Sequence, residues 1–456
     1  MNTYIIVGII LVVLVALLAT NKKLVETLKN IYKIEELRKR ILFTLGLLLI
    51  YRLGSFVTLP GVNHAILEQW TQNFASDSSS LMGLLNIFSG GAFSQASIFA
   101  LGVMPYITAS IIIQLLGIMV PYFRKMQREG ESGRRRMNQW TRFLTIAVLL
   151  LQAPAYLATQ VISSGAVTVT GDFLGITNGA FIVPAVIILI AGTMFIMWLG
   201  EKITDKGIGN GISLIIMIGI VARLPQSFLQ ELMFQTTGGG SIIMLLVELI
   251  FLALVFMLAI AIVQAVRRIP VQYAKRIVGN KQYGGVRQYI PLKLNAAIVM
   301  PIILAQALMF IPGLIWGGQW LDITSFWYNF TLFVLVIAFT YFYTAIIVNP
   351  QMMADDMKRN GGFIPGVKPG KSTVSYIDDI MTRITLPGSV FLAIITVLPA
   401  IAMTLGITQG FAYFFGGTSL LIMVGVVLDT LKQIESYLLM RHYDGLMKTG
   451  RIQGRY

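Results

Sequence analysis

The chain has 456 residues, of which 56% are hydrophobic and only 12% are charged, and its mean hydropathy is +0.77. These values exclude an ordinary soluble domain. The absence of cysteine excludes disulfides and thiolate zinc sites, and the two histidines, His64 and His442, lie too far apart in sequence to suggest a metal site. The net charge of +15 fits basic residues retained on one face of a membrane better than it fits a polyanion-binding site.

The first predicted element is a short apolar segment, Tyr4–Thr20, which seven basic residues follow. This order is the reverse of that in a cleavable signal peptide. A helix of this length spans about 25 Å, somewhat less than a hydrocarbon core of about 30 Å. We therefore expect residues 1–21 to form an additional span with residue 1 outside, or to be a segment foreign to the natural chain.

Residues 22–40 follow with a different pattern. Apolar residues recur among charges at helical spacing, at Leu24, Leu28, Ile31, Ile34 and Leu37. This pattern predicts an amphipathic helix that lies on the cytoplasmic surface of the membrane.

The rest of the chain contains ten apolar stretches that are candidate membrane spans. They are Ile41–Leu59, Ala92–Met119, Trp140–Ile162, Ala180–Leu199, Gly207–Leu224, Ser241–Val266, Lys293–Pro312, Trp327–Val348, Ile384–Leu405 and Gly416–Met440. Of the 35 Lys and Arg residues, 32 lie in basic runs that occupy every second connection or the ends of the stretches beside it, and the other three are Arg52, Arg142 and Arg223. Because basic residues stay on the cytoplasmic side during insertion, the alternation predicts an all-α, polytopic membrane protein and its orientation.

A short apolar segment precedes the second span. Leu81–Ser89 is too short to cross the membrane, and two adjacent glycines, Gly90 and Gly91, follow it. Adjacent glycines break a helix, so we expect a short helix that is hinged to a long span beginning at Ala92. Broken helices at membrane depth occur where protein or a water-filled cavity surrounds them, so this break is the first indication of a pore.

The sequence offers little for catalysis or for coupled transport. Acidic residues within spans are scarce, with Glu248 in the outer third of one span and Asp429 near the inner end of another. A secondary transporter needs carboxylates at mid-membrane, and an intramembrane enzyme needs a catalytic polar cluster, so both are disfavoured alternatives. Gly207–Gly211 has the composition of an anion-binding nest, but a tight turn is favoured. We predict neither an enzyme nor a cofactor.

Three of the connections between spans are dense in basic residues: Gly130–Arg136, Arg267–Arg276 and Asn349–Arg383. Connections between helices usually have about 2–8 residues, and the last of these three has 35. Long ordered loops usually serve a function, which favours a docking platform for a cytosolic partner over a merely solvated loop.

Motifs along the chain resemble, in order, those of the SecY family of bacterial protein-conducting channels. They are Asn86–Ala92, Met104–Leu116, Gly130–Arg136, Trp198–Glu201, Gly207–Ser213, Arg267–Arg276 and Phe415–Leu421. The resemblance extends from about Leu24 to Arg451 and includes all ten spans. The segment before Leu24 departs from the usual start of the family, so the resemblance implies nothing about it.

The resemblance implies two inverted halves of five spans, residues 41–224 and 241–440, around an hourglass-shaped pore. It also implies a plug in 81–91, cytoplasmic loops in 267–292 and 349–383, and a basic cytoplasmic tail in 441–456. The constriction would comprise six aliphatic residues from four spans: Val103, Ile107, Ile212, Ile216, Ile303 and Ile422. Such a collar seals around a passing chain and excludes water by dewetting when it is empty.

The resemblance further implies three groups of functional residues. The plug would comprise Leu84, Leu85, Asn86, Ile87, Phe88, Ser89, Gly90 and Gly91. A lateral gate between the second and seventh spans would include Ser110, Ile111 and Gln114. Docking of a cytosolic partner would involve Arg267, Arg268, Lys275, Arg276 and Lys368. The family commonly has arginine at the last of these positions, so the charge is kept while the bidentate geometry is lost.

By the same resemblance, the chain would be a passive channel of the general secretory pathway in the bacterial inner membrane. It would move unfolded polypeptides across the membrane and release signal sequences and transmembrane segments into lipid. The SecA motor ATPase or the translating ribosome would drive it. Its expected partners are the SecE and SecG subunits, SecA, the ribosome, signal peptides and nascent chains, YidC, SecDF and anionic lipids.

Overall fold

A computed structural model describes residues 34–67, 69, 86, 89–168, 171, 178–237, 241–273, 276–278, 281–283, 287–294, 300–316 and 324–448. The predicted apolar segment 1–21 and nearly all of the predicted amphipathic helix lie outside these residues. So do Leu84, Leu85, Ile87 and Phe88 of the predicted plug, and Lys275 of the predicted docking surface.

The described part of the chain is mostly helical, as predicted. The helices are α1 (Glu35–Gly54), α2 (Met104–Met119), α3 (Pro121–Arg128), α4 (Glu131–Tyr156), α5 (Gly179–Lys206), α6 (Gly211–Thr237), α7 (Ile242–Gln264), α8 (Met300–Trp316), α9 (Phe326–Ile347), α10 (Pro350–Arg359), α11 (Lys371–Thr404), α12 (Gln409–Ala412) and α13 (Gly417–Lys448). The strands are β1 (Val266–Tyr273), β2 (Arg276–Val278), β3 (Lys281–Tyr283), β4 (Arg287–Lys293) and β5 (Gly362–Phe363).

The helices are those of a multi-pass membrane protein. Within the described residues, seven helical stretches are long and apolar enough to cross a membrane, and up to eight if α2 and α3, which meet at a bend of 100°, count as one broken span. Each of the ten predicted spans overlaps a described helix. Large apolar side chains on these helices are exposed, as lipid-facing side chains are; Leu151 of α4 is 78% exposed and Ile243 of α7 is 77% exposed.

The chain divides into two compact units. Unit 1 holds the described residues up to Ile242 together with those from Val426 onward, and unit 2 holds Ile243–Gly425. The core of unit 1 lies among α4, α5 and the turns before α2, where Tyr156, Phe181 and Leu189 are buried. In unit 2, a small sheet packs on α10 and on the start of α11.

The small sheet of unit 2 is an element that the sequence pattern did not predict. Its strand order is β4–β1–β5, all antiparallel, with Ile269 paired to Ile290. Alternation along β1 places Ile269 and Val271 in a core with Met357 and Ile377, and it leaves Arg268 exposed. A second, two-stranded ladder joins β2 and β3.

Three predicted boundaries are wrong. The second span does not begin at Ala92, because residues 89–103 form turns and α2 begins only at Met104, with Pro105 in its first turn. The predicted connection Gly200–Lys206 is part of α5. Helix α6 continues through Pro225 to Thr237, so the predicted connection Gln226–Gly240 is largely helical. A proline inside a membrane helix is tolerated where neighbouring groups satisfy the freed carbonyl.

Candidate functional site

The predicted hinge lies in a compact run of turns, Ser89–Ser97, here called the hinge segment. Gly90 and Gly91 have φ angles of +64° and +95°, which glycine adopts without the strain that a Cβ imposes. Asn86 holds the start of the segment, because its carbonyl accepts from the Gly91 N–H at 2.9 Å and its Oδ1 accepts from the Ser94 N–H at 3.2 Å. Turns therefore follow the two glycines, whereas most of the short helix predicted before them lies outside the described residues.

The far end of the hinge segment is anchored to its surroundings. The Tyr156 hydroxyl of α4 donates to the Phe93 carbonyl at 2.7 Å, and the two rings pack with centroids 4.8 Å apart. The Leu59 N–H donates to the Ala96 carbonyl at 2.9 Å, and the Ile98 N–H donates to the Val57 carbonyl at the same distance. These contacts fix the chain just after the glycines.

Two arginines contact the hinge segment from different helices. Arg52, in the last turn of α1, donates from Nη1 to the Gly90 carbonyl at 2.7 Å. Arg223 of α6 donates from Nη2 to the Ser94 hydroxyl at 3.4 Å. Both side chains belong to half-buried residues.

No role is predicted for these two arginines from the sequence motifs. The available signal was that Arg52 and Arg223 are two of the three basic residues that do not follow the alternation between connections. The third, Arg142 of α4, has a conventional partner, since its Nη2 lies 2.6 Å from Glu201 Oε2 and its Nε donates to Oε1 at 3.2 Å. A basic residue outside a positive-inside pattern therefore indicates a specific contact in this chain.

The predicted constriction residues occupy corresponding places on their helices, near the N-terminal ends. Val103 and Ile107 lie at the start of α2, Ile212 and Ile216 at the start of α6, Ile303 in the first turns of α8 and Ile422 in the second turn of α13. Val103, Ile216 and Ile422 are buried, and the other three are half-buried. The Ile212 side chain packs on α5, because a Cβ at Gly200 would lie 2.7 Å from Ile212 Cγ1.

The predicted gate residues lie in the middle of α2. Ile111 is buried, whereas Ser110 and Gln114 are half-buried. Gln114 Nε2 donates to the Ser110 hydroxyl at 3.3 Å, one helical turn away. The two polar side chains therefore satisfy each other within their own helix.

The glycine-rich turn Gly207–Gly211 is a tight turn and not an anion nest. Three of its backbone N–H groups are occupied by side chains: Ile208 donates to Thr44 Oγ1 at 3.1 Å, Gly209 to Gln433 Oε1 at 2.8 Å and Gly211 to Thr204 Oγ1 at 2.9 Å. Because these donors already have partners, they are not available to an anion. The turn instead joins α1, α5 and α13 within unit 1.

The predicted docking residues lie on and beside the small sheet. Arg267 and Arg268 are adjacent exposed residues of β1, and Arg276 begins β2. Lys368 is exposed in the turn before α11, where its carbonyl accepts from Thr373 Oγ1 at 3.0 Å. The sheet holds Arg267 and Arg268 on a rigid support, which a flexible loop would not provide.

Buried carboxylates within the described spans include one that sequence analysis missed. Glu248 of α7 is 2% exposed, as a span interior predicts, whereas Asp429 of α13 is exposed. Glu231 of α6 is fully buried and accepts from Gln235 Nε2 at 2.9 Å. It was missed because the predicted span ended at Leu224, before the helix itself ends.

Similarity to known proteins covers most of the chain. The family model SecY matches residues 97–431. The protein translocase subunit SecY of Corynebacterium glutamicum is 42% identical over 445 residues, which cover 91% of this chain and 98% of the relative. A solved protein-conducting channel has the same fold, with a TM-score of 0.60 at 18% identity, covering 87% of this chain and 91% of that one. Sec61 in a canine ribosome–channel complex gives a TM-score of 0.56 at 17% identity, with the same coverage.

Proposed function

The chain belongs to the SecY family, and on that premise we propose that it is the protein-conducting channel of a bacterial translocase in the inner membrane. It moves unfolded polypeptides across the membrane and releases signal sequences and transmembrane segments into lipid. The observation that carries this proposal is the family match over residues 97–431, which includes all six constriction residues and strand β1. If residues 1–21 form a span, residue 1 lies outside.

The proposed constriction explains how such a channel stays closed to ions. Its six residues are valine and isoleucine, which offer no hydrogen bond to water, and a narrow pore lined by such side chains empties of water. Branched aliphatic side chains also pack around chains of any sequence, because their contacts are non-directional.

The proposed lateral gate uses the polar pair on α2. A serine and a glutamine that face lipid without partners would each carry a large desolvation cost. The hydrogen bond between Gln114 and Ser110 lowers that cost, because both side chains keep a partner whether or not a neighbouring helix is present. The lateral gate can therefore open for a signal sequence while Gln114 and Ser110 keep their hydrogen bond.

The chain itself is a passive pore in this proposal, and its partners supply the energy. The exposed arginines of β1 face the cytosol, where they bind the acidic surfaces of the SecA motor or the ribosomal RNA near the exit tunnel. Sec61, a structural neighbour of this chain, forms a ribosome–channel complex. SecE and SecG are the proposed membrane partners.

Translocation by purified components tests this function. Proteoliposomes that contain the chain with SecE and SecG are supplied with SecA, ATP and a secretory preprotein. We expect the preprotein to become protected from added protease, and liposomes without the chain to give no protection. A complex that binds SecA and stimulates its ATPase, but does not make the preprotein resistant to protease, would contradict the proposed function.

Binding of SecA and of ribosomes to the same proteoliposomes tests the docking surface. Replacing Arg267 and Arg268 with glutamate should weaken SecA or ribosome binding roughly ten-fold or more at low salt, with a smaller difference at high salt, because salt screens exposed charges. The matched control is the replacement of Lys206 and Lys432 with glutamate, since both lysines are exposed, lie outside the predicted docking residues and change the net charge by the same amount. Unchanged binding in the first variant at low salt would make Arg267 and Arg268 topology signals only.

A further inference from the structure

Helix α1 contributes the first of two unusual contacts with the hinge segment. The Arg52 guanidinium donates to the carbonyl of Gly90, the first hinge glycine, at 2.7 Å. It is held in place by the Phe56 ring one turn later, whose centroid lies 4.7 Å from Arg52 Cζ. The aromatic contact orients a flexible side chain, so less freedom is lost when the hydrogen bond forms.

Helix α6 contributes the second contact through two residues on one face. Gly219 and Arg223 are four positions apart and therefore lie one above the other. A Cβ at Gly90 would lie 2.8 Å from Gly219 Cα, and a Cβ at Gly91 would lie 3.3 Å from Arg223 Nε. The hinge backbone thus lies directly against α6, at a distance that only glycine permits.

The charges at this site are not neutralised by acidic side chains of the described residues. The hinge partners of Arg52 and Arg223 are a carbonyl and a hydroxyl, which are neutral. A bidentate pair with a carboxylate, such as that of Arg142 with Glu201, is stronger. Because hydrogen bonds to neutral acceptors are weaker than ion pairs, they can position the hinge segment and can also break.

We propose that Arg52 and Arg223 form an arginine clamp that positions the hinge segment and whose release lets Ser89–Gly91 move away from α6. The proposal rests on the proposed function, because it makes this movement part of channel opening. Since the two arginines come from α1 and α6, a relative shift of these helices cannot preserve both contacts. The clamp thereby couples the hinge to the helices of unit 1.

A cysteine reporter tests the clamp in the absence of any substrate. The chain has no cysteine, and Ser89 is buried directly before the hinge glycines, so Ser89→Cys gives a single shielded thiol. In this background, we expect Arg52→Met or Arg223→Met to raise the rate of modification by a membrane-impermeant maleimide roughly 10- to 100-fold, as loss of a charged hydrogen bond predicts. Arg52→Lys, which can still donate to the Gly90 carbonyl, should give a smaller increase than Arg52→Met.

The control is Arg142→Met, which removes a guanidinium that also joins two helices but does not contact the hinge. This variant should label at the parental rate. If the Arg52→Met and Arg223→Met variants elute as folded complexes in size-exclusion chromatography and their cysteine still reacts at the parental rate, the clamp is overturned. Equal increases in the lysine and methionine variants of Arg52 would also overturn it. Thiol modification is measured without translocation, so a negative result here is distinguishable from a failure of the proteoliposome assay.

Discussion

Replacing Gly90 with valine is expected to make the resting channel leak ions. A valine at φ +64° is strained by of order 1–3 kcal/mol. Its Cβ would also lie 2.8 Å from Gly219 Cα and 3.2 Å from Arg52 Nη1, so the backbone of α6 or of the hinge has to move. Both effects act against the closed hinge, and together they should raise the resting leak roughly ten-fold or more, since each 1.4 kcal/mol is a factor of about ten.

Single-channel conductance in a planar bilayer without substrate measures this leak. The matched control is Gly46→Ala in α1, where a Cβ would meet nothing within 4 Å and where alanine favours the helix. The control should conduct like the parent chain. If folded Gly90→Val channels are as tight as the parent, the hinge does not set the closed state.

Polar substitution of the constriction is expected to have the second large effect. Ile422 of α13 is 5% exposed. The substitution Ile422→Asn replaces its apolar side chain with an amide that requires hydrogen bonds. An unsatisfied buried amide costs roughly 1–3 kcal/mol, so water is drawn in to satisfy it. We expect a higher resting conductance and easier passage of preproteins with defective signal sequences, and the same from Ile303→Asn on α8.

The conservative control at this position is Ile422→Val, which keeps a branched apolar side chain and should retain a tight seal. Conductance and the ratio of translocation with defective and intact signal sequences are measured for all three variants. Parental values of both quantities in Ile422→Asn and in Ile303→Asn would remove these residues from the constriction.

Composition and local pattern predicted the helical membrane fold because both follow from the bilayer. Lipid requires long apolar helices, and the insertion machinery retains basic residues on one side of the membrane. The spans and their orientation can therefore be predicted from the order of apolar and basic residues in the sequence. The break at Gly90–Gly91 was predicted for a similar reason, since two adjacent glycines act locally. The positions of Arg52 and Arg223 against that break depend on how α1 and α6 pack, and no local pattern reports this.

The small sheet shows a different limit of sequence reading. Ile269 and Val271 alternate with polar or exposed positions, which is a strand pattern, but Arg267, Arg268 and Pro270 beside them made the segment resemble a solvated loop. Part of the core of this strand comes from Met357 and Ile377, which are distant in sequence. The end of α6 was misplaced because Pro225 normally stops a helix, whereas this helix continues past it.

Crosslinking of an arrested preprotein to the constriction tests the central claim most directly. A preprotein with one cysteine is stalled in the proteoliposome by a folded C-terminal domain, and single cysteines replace Ile216, Ile303 or Ile422 in the cysteine-free chain. The account predicts disulfide adducts at all three positions, formed only with the stalled preprotein, and none at Leu151, which is 78% exposed on α4. A stalled preprotein that forms no adduct at the three positions, or forms adducts equally well at Leu151, would contradict a path through the chain.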